Sequence, residues 1–137
     1  MNLFADSSAF AKRYVADEKS EDLDKLLQGT SNLGVSVLCP AEIISALCRR
    51  RRERSLKATE YAAAKAAMEM DLADAAVIQL VDEVLLRAIQ LLEANPLRAS
   101  DAIQVASALL WRADAFVSSD ARQCAAAKAS GLIVIRL

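Results

Sequence analysis

Short apolar runs alternate along this chain with longer segments whose apolar residues recur at helical spacing. The runs predict five strands, at residues 3–5, 33–38, 77–80, 115–118 and 132–135. The segments between them predict helices at 9–15, 20–29, 40–54, 56–70, 81–93, 101–111 and 119–130. Strands separated by helices are typical of an α/β fold, with a mostly parallel sheet of four to five strands and helices on both faces.

Several helix boundaries are marked by residues with known positional preferences. Ser7 and Ser8 are predicted N-caps of the first helix, and Ser100 is the predicted N-cap of the helix at 101–111. Gly29 ends the second helix, and Pro40 fits the first turn of the third.

Four acidic residues stand where the predicted strands end or where helices begin. Asp6 follows the first strand and Asp120 follows the fourth. Glu42 lies in the first turn of the helix after the second strand, and Asp101 opens a helix directly. Ligands of open α/β sheets bind at the carboxyl ends of the strands, so several of these acids are expected to share one crevice.

A structural role for each acid is the alternative, because a carboxylate in a helix's first turn stabilises the helix by ~0.3–1 kcal/mol. Asp6 in particular is as well explained as a cap. Taken together, however, clustered carboxylates repel one another unless a cation neutralises them. Mg²⁺ or Mn²⁺, which prefer oxygen ligands, would do so. Asp74 and Asp114 precede strands and are expected at the opposite edge of the sheet.

Composition narrows the chemistry further. The 137 residues predict one domain, 1–137, and contain no apolar run near the roughly 20 residues that span a bilayer. No secretory signal is visible and the three cysteines form no C-x-x-C pair, so we expect a cytoplasmic protein with free thiols. The chain has no histidine, which excludes a histidine general base and imidazole-dependent zinc sites. With a net charge of −1, the protein has no overall positive charge that would attract nucleic acid, so any such binding must come from a local patch or a metal site.

The segments around the four acids resemble the successive motifs of the PIN-domain nucleases. These are Leu3-Phe4-Ala5-Asp6-Ser7-Ser8-Ala9, Pro40-Ala41-Glu42-Ile43, the stretch at 97–106 that contains Asp101, and Phe116-Val117-Ser118-Ser119-Asp120. Their order and spacing are similar to those of the VapC toxins of bacterial toxin–antitoxin pairs. The resemblance covers nearly the whole chain.

This resemblance implies a three-layer PIN-like fold and cleavage of RNA that depends on Mg²⁺ or Mn²⁺. It also implies a homodimer and inhibition by a small antitoxin protein. Asp6 and Asp101 would be the main metal ligands, and Asp120 would complete the coordination, partly through water. Glu42 would orient or deprotonate the attacking water, with Ser118 as a hydrogen-bond partner within the site.

Other features allow two interpretations each. The basic run at 49–54 is either a solvated helix end or a contact for the RNA backbone. Lys12 and Arg13 are either substrate contacts or surface residues, and Trp111 is expected in the core or an interface. The helices at 56–70 and 21–28 are expected to border an apolar groove for the antitoxin.

Two other protein classes share the predicted parallel sheet. A receiver-like domain would need adjacent acids after the first strand and a lysine after the fifth, and the sequence offers Asp6-Ser7 and Arg136-Leu137 there. A catalytically inert binding module would need none of the acids. The sequence favours the ribonuclease over both.

Overall fold

The computed structural model describes all 137 residues and contains one five-stranded, fully parallel sheet. The strands are β1 (Asn2–Ala5), β2 (Asn32–Ser36), β3 (Ala76–Ile78), β4 (Ala115–Ser118) and β5 (Ile133–Arg136). The helices are α1 (Ser7–Phe10), α2 (Ser20–Gln28), α3 (Cys39–Arg52), α4 (Ala58–Ala73), α5 (Asp82–Ala94), α6 (Ala99–Leu110) and α7 (Ala121–Ala129). The predicted α/β fold is confirmed.

The strands lie in the order β3-β2-β1-β4-β5. The chain builds outward from β1 through β2 to β3, then crosses back to place β4 on the other side of β1. The boundary between β1 and β4 is therefore the topological switch point, where ligands of open α/β sheets bind. Receiver domains have the order 2-1-3-4-5 instead. The receiver-like alternative is therefore wrong.

Alternating side chains on the two central strands supply two cores. Leu3 and Ala5 of β1 point to the face covered by α1, α3 and α4, and Phe4 points to the face covered by α5, α6 and α7. On the second face the rings of Phe4 and Phe116 stack with their centroids 5.8 Å apart, since these residues are paired across β1 and β4. No helix has both the length and the apolar character needed to cross a bilayer.

The N-caps predicted for two helices are wrong. The first helix begins at Ser7 and is capped by Asp6, whose side chain accepts a hydrogen bond from the Ala9 amide. Ser100 lies inside the first turn of α6, and the N-cap position is held by Arg98 without a side-chain hydrogen bond. In both places the helix starts earlier than the serines suggested, so each serine already has helical backbone.

The first helix is also shorter than the predicted span 9–15. After Phe10 it tightens into the 3₁₀ turn Ala11–Arg13. Ser20 Oγ donates to the Lys12 carbonyl oxygen at 2.6 Å. That bond satisfies a carbonyl that a longer first helix would have used internally, so the chain turns towards α2 instead of continuing as a helix.

Trp111, directly after α6, packs on the bare backbone of Gly34 in β2. A Cβ atom built on Gly34 would lie 2.6 Å from two ring carbons of Trp111. Gly34 is thus required by the close approach of an aromatic ring. Trp111 is half-buried there and packs against the core on the second face of the sheet. Of the two places expected for it, the core or an interface, the structure confirms the core.

Gly34→Ala is expected to destabilise the protein by about 1–3 kcal/mol, because the indole ring must move out of a packed position. Gly29→Ala is the matched control: its added Cβ would have no neighbour closer than 3.8 Å, and its φ of −87° suits any residue. Urea unfolding of the two variants measures the difference. Equal free energies of unfolding for both would contradict the proposed packing.

Candidate active site

All four predicted acids lie at the carboxyl edge of the sheet, each at the start of a helix. Asp6 ends β1 and caps α1, and Asp120 follows β4 and caps α7. Glu42 lies in the first turn of α3, and Asp101 in the first turn of α6. Asp114, by contrast, accepts a hydrogen bond from the Asn2 amide at the amino end of β1, which confirms its predicted place at the opposite edge.

Asp6 is fully buried at the switch point. Its Oδ1 accepts hydrogen bonds from the Ala9 amide at 2.9 Å and from Ser8 Oγ at 2.8 Å. Its Oδ2 accepts from Ser118 Oγ at 2.5 Å. The capping role considered for Asp6 is therefore real, and the same carboxylate also joins β1 to the end of β4.

Ser118 connects Asp6 to the next acid. The Ser118 hydroxyl oxygen accepts a hydrogen bond from the Asp120 amide at 2.9 Å while it donates to Asp6. Asp120 Oδ1 in turn accepts from the Gln123 amide at 2.9 Å, so Asp120 is also a helix cap. The expected contact of Ser118 with the acids is thus present.

Glu42 and Asp101 have only side-chain partners, so a capping role does not explain them. Glu42 Oε1 accepts from Ser7 Oγ at 2.9 Å and from Gln104 Nε2 at 2.7 Å. Asp101 Oδ1 accepts from Gln123 Nε2 at 2.9 Å. These two acids are held by neutral groups that belong to other helices.

Gln104 and Gln123 are the site residues that the sequence analysis missed. Both are buried, with 1% and 5% of their surface exposed. Gln104 interrupts the apolar face of α6, and a buried amide in such a helix needs a polar partner. That interruption was the available signal. Gln123 gave a weaker one, since α7 has other polar residues.

Burial dominates the electrostatics of Asp6. Loss of solvation raises its pKa to about 6, and the nearby charge of Asp120 also raises it, while hydrogen bonds from Ser118, Ala9 and Ser8 lower it. None of the four acids has a Lys or Arg partner. The five ion pairs of the structure lie elsewhere: Lys12–Asp17, Arg13–Asp24, Arg13–Asp71, Lys19–Asp22 and Lys25–Glu21.

The donor chemistry at this edge suits a hard divalent cation. The acids supply oxygen ligands, and no protein cation balances their charge. Cys39 and Cys124 are poor competing ligands: both are buried, and burial raises the pKa of the Cys39 thiol to about 12. No three Asp, Glu or Cys side chains lie close enough to form a ready-made metal cluster. By ligand type and charge, the four acids thus fit a hard divalent cation, and their carboxylates are hydrogen-bonded to neutral donors.

Two of the basic residues considered as substrate contacts have structural partners. Arg13 donates to Asp71 at 2.7 Å and to Asp24 at 3.0 Å, which ties the turn after α1 to α4 and α2. Lys12 pairs with Asp17 at 3.2 Å. Arg51, in the basic run at the end of α3, lies over the Tyr61 ring at 5.2 Å. Arg13 is therefore a structural residue.

Comparison with known proteins gives one family. The model of the PIN domain matches residues 3–129. No curated protein matches the chain in sequence.

Several solved structures are similar in fold. VapC20 of Mycobacterium tuberculosis, described as a toxin that cleaves the sarcin–ricin loop, has a TM-score of 0.72 at 18% identity, covering 98% of this chain and 99% of its own. VapBC2 of Rickettsia felis, bound to a promoter DNA fragment, has 0.70 at 10%, covering 100% and 99%. VapBC-1 of nontypeable Haemophilus influenzae has 0.68 at 13%, covering 99% and 98%.

The raised pKa of Asp6 predicts how stability depends on pH in the metal-free protein. Folding raises this pKa from 3.8 to about 6, so the folded state favours the protonated acid. Its contribution to stability is full below pH 3.8 and is lost as the pH rises through 6, a change of about 3 kcal/mol by pH 7. Relative to Asp6→Asn, the wild type should lose this amount between pH 3.5 and 7 in EDTA, measured by urea unfolding. A constant difference between the two proteins would contradict the assignment.

Proposed function

The chain belongs to the PIN-domain family, and from this premise we propose that it is a metal-dependent endoribonuclease that acts as the toxin of a toxin–antitoxin pair. The observation that carries the proposal is the acid edge, which we define as Asp6, Glu42, Asp101 and Asp120. Neutral hydrogen bonds through Ser118 and Gln123 link Asp6, Asp120 and Asp101, and Ser7 and Gln104 hold Glu42 separately. None of the five ion pairs includes any of these acids. We further propose that residues 1–137 form one PIN domain and that the protein acts in the cytoplasm, where its three free cysteines stay reduced.

In this proposal Asp6 and Asp101 would hold Mg²⁺ or Mn²⁺, and Asp120 would complete the coordination, partly through water. The ion would lower the pKa of a bound water and neutralise charge on the phosphate. Glu42 receives the proton of the attacking water or orients it. Ser118 fixes the Asp6 carboxylate by donating to Oδ2. This chemistry needs no histidine, and the chain has none.

The substrate is proposed to be RNA, and the site architecture supports an anionic polymer. The helices α3, α6 and α7 begin at the acid edge, so the partial positive charge of their N-termini would be available to a phosphate there. The exposed arginines at the end of α3 offer further contacts for the RNA backbone. VapC20, one of the similar structures, is described as cleaving an RNA loop.

An antitoxin is the proposed protein partner, because several similar structures are toxin–antitoxin complexes. The sequence analysis expected its groove between α2 and α4. Those helices do border a cleft of about 490 Å³, but charged side chains line much of it, including Arg13, Asp24 and Asp71. Such a lining suits an apolar helix poorly.

The groove between α3 and α4 suits an antitoxin helix better. It has a volume of about 560 Å³, and only two of its eight lining residues, Lys65 and Glu69, are charged. The other six are apolar: Pro40, Ala41, Ile44, Met68, Leu72 and Ala73. Pro40 and Ala41 directly precede Glu42, so a helix in this groove lies beside the acid edge. A basic side chain of the partner would reach the carboxylates and make charge-assisted hydrogen bonds.

A homodimer is proposed from an exposed apolar stripe on α5. Val81, Leu85, Ile89 and Leu92 follow one another at helical spacing, and Leu86 flanks them. All five are exposed, by 50%, 41%, 54%, 36% and 59% respectively. Contiguous exposed apolar surface of this kind marks interaction sites, and a second copy of the chain would cover it.

Asp6→Asn is expected to abolish RNA cleavage, since it removes a proposed metal ligand. The loss should exceed the ~10–100-fold typical of removing a partner outside the coordination shell. Asp114→Asn, at the opposite edge, should keep wild-type activity. Purified proteins are assayed on labelled RNA with Mg²⁺ or Mn²⁺, and with EDTA as a second control. Equal cleavage by wild type and Asp6→Asn would reveal a contaminating nuclease. A wild type that neither cleaves RNA nor binds Mn²⁺ would favour the inert binding module.

Expression of the wild-type protein alone is expected to arrest growth, because an unmasked ribonuclease degrades host RNA. Co-expression with the product of the neighbouring small gene should relieve the arrest. Asp6→Asn should be harmless and still bind this partner, because most of the proposed contact is apolar. Colony counts after induction and co-purification measure the two effects. A wild-type protein that is harmless at high levels in a host without antitoxin would contradict the proposed role as a toxin.

A further inference from the structure

Two buried glutamines flank the acid edge, and each donates to one of its carboxylates. We propose that Gln104 and Gln123 are positioning residues that hold Glu42 and Asp101 in the orientation used for cleavage. The proposal rests on the proposed ribonuclease function and adds to it two residues that touch neither the substrate nor the proposed ion. Its evidence lies in the orientation, the burial and the unpaired atoms of the two amides.

The amide of Gln104 has only one favourable orientation. Its Nε2 lies 2.7 Å from Glu42 Oε1 and 2.9 Å from Ser7 Oγ. Ser7 Oγ itself donates to Glu42 at 2.9 Å. Turning the amide over would place its oxygen against the carboxylate oxygen, and two acceptors at that distance repel. Glu42 therefore accepts hydrogen bonds from two neutral donors, one on α1 and one on α6, and the second of these requires the amide nitrogen to face the carboxylate.

Gln123 makes the corresponding contact on the other side of the site. Its Nε2 donates to Asp101 Oδ1 at 2.9 Å, and its backbone amide donates to Asp120 Oδ1 at 2.9 Å. One residue of α7 thus binds two acids that arise from different helices. The relative placement of Asp101 and Asp120 depends on this bridge.

The carbonyl ends of both side chains argue against a purely structural role. Gln104 Oε1 and Gln123 Oε1 are buried and have no hydrogen-bond partner. A buried acceptor without a donor destabilises a protein, and an apolar side chain of similar size would avoid that cost. A methionine would fill either position for packing alone. The benefit of each glutamine therefore lies at its nitrogen, which contacts a carboxylate.

An amide is also the right donor for this task. A lysine or arginine would orient a carboxylate equally well, but its charge would neutralise the acid and compete with a divalent ion for it. The amide fixes the carboxylate while leaving its negative charge available. This distinction explains why every hydrogen-bond donor to the four acids is a neutral group.

Gln104→Met and Gln123→Met test the proposal in the full chain. Each is expected to lower kcat for RNA by ~10–100-fold with KM unchanged, as for other groups that orient catalytic carboxylates. The melting temperature should stay close to the wild-type value, because the lost hydrogen bond to the carboxylate is offset by the removal of an unpaired buried oxygen. Gln90→Met, at an exposed position on α5, is the matched control and should keep wild-type kcat. Wild-type kcat in both buried variants would overturn the proposal, and so would a loss of kcat that merely follows a lower folded fraction by circular dichroism.

A second measurement needs neither metal nor activity. In ¹⁵N-labelled metal-free protein, the side-chain amides of Gln104 and Gln123 should exchange slowly with solvent, unlike that of Gln90. Glu42→Gln should shift the Gln104 signal alone, and Asp101→Asn the Gln123 signal alone. Amides that exchange as fast as Gln90 would overturn the proposal. A wild type without ribonuclease activity would count against the proposed function, whereas an active wild type with unaffected methionine variants would count only against the glutamines.

Discussion

One buried hydrogen bond, from Ser118 to Asp6, connects the carboxyl ends of β1 and β4, the two strands on either side of the topological switch point. It sits where the sheet topology opens a crevice, and both partners belong to buried strand ends. Both partners of this bond make or support further contacts of the acid edge. The Ser118 hydroxyl oxygen also accepts a hydrogen bond from the Asp120 amide. Asp6 caps α1, and Ser7 in the first turn of that helix donates a hydrogen bond to Glu42. This hydrogen bond therefore ties the buried ends of the two central strands to the acids that the proposed chemistry uses.

Most of the fold could be predicted from the sequence because its signals are local. The apolar runs identified all five strands, and the alternation of strands with helices identified the parallel sheet. The strand order could not be read from the chain, because it depends on which sheet edge each crossover reaches. The N-caps at Ser7 and Ser100 were wrong for a related reason: several neighbouring residues are able to cap, and tertiary contacts choose among them. In α1 the N-cap is Asp6, whose side chain is also held by a hydrogen bond from Ser118 of β4.

The position of the acids was predictable, and their partners were not. Asp6, Glu42, Asp101 and Asp120 follow strands or open helices, and parallel topology alone gathers such residues at one edge. Gln104 reaches that edge from the second turn of α6, and Gln123 from the first turn of α7. Their contacts depend on how two helices pack over the sheet, which periodicity does not specify. The interruption of an apolar helix face by Gln104 was the one visible sign.

The lack of any basic partner for the four acids has a thermodynamic consequence. A divalent ion and a guanidinium from an inhibitor would neutralise the same negative charge, so they exclude each other by electrostatics rather than by shape. By thermodynamic linkage the antagonism is reciprocal: the ion lowers the affinity for the inhibitor by the same factor by which the inhibitor lowers the affinity for the ion. If the proposed function holds, release of the inhibitor would accordingly respond to the concentration of the free divalent ion, with no contact between inhibitor and RNA required.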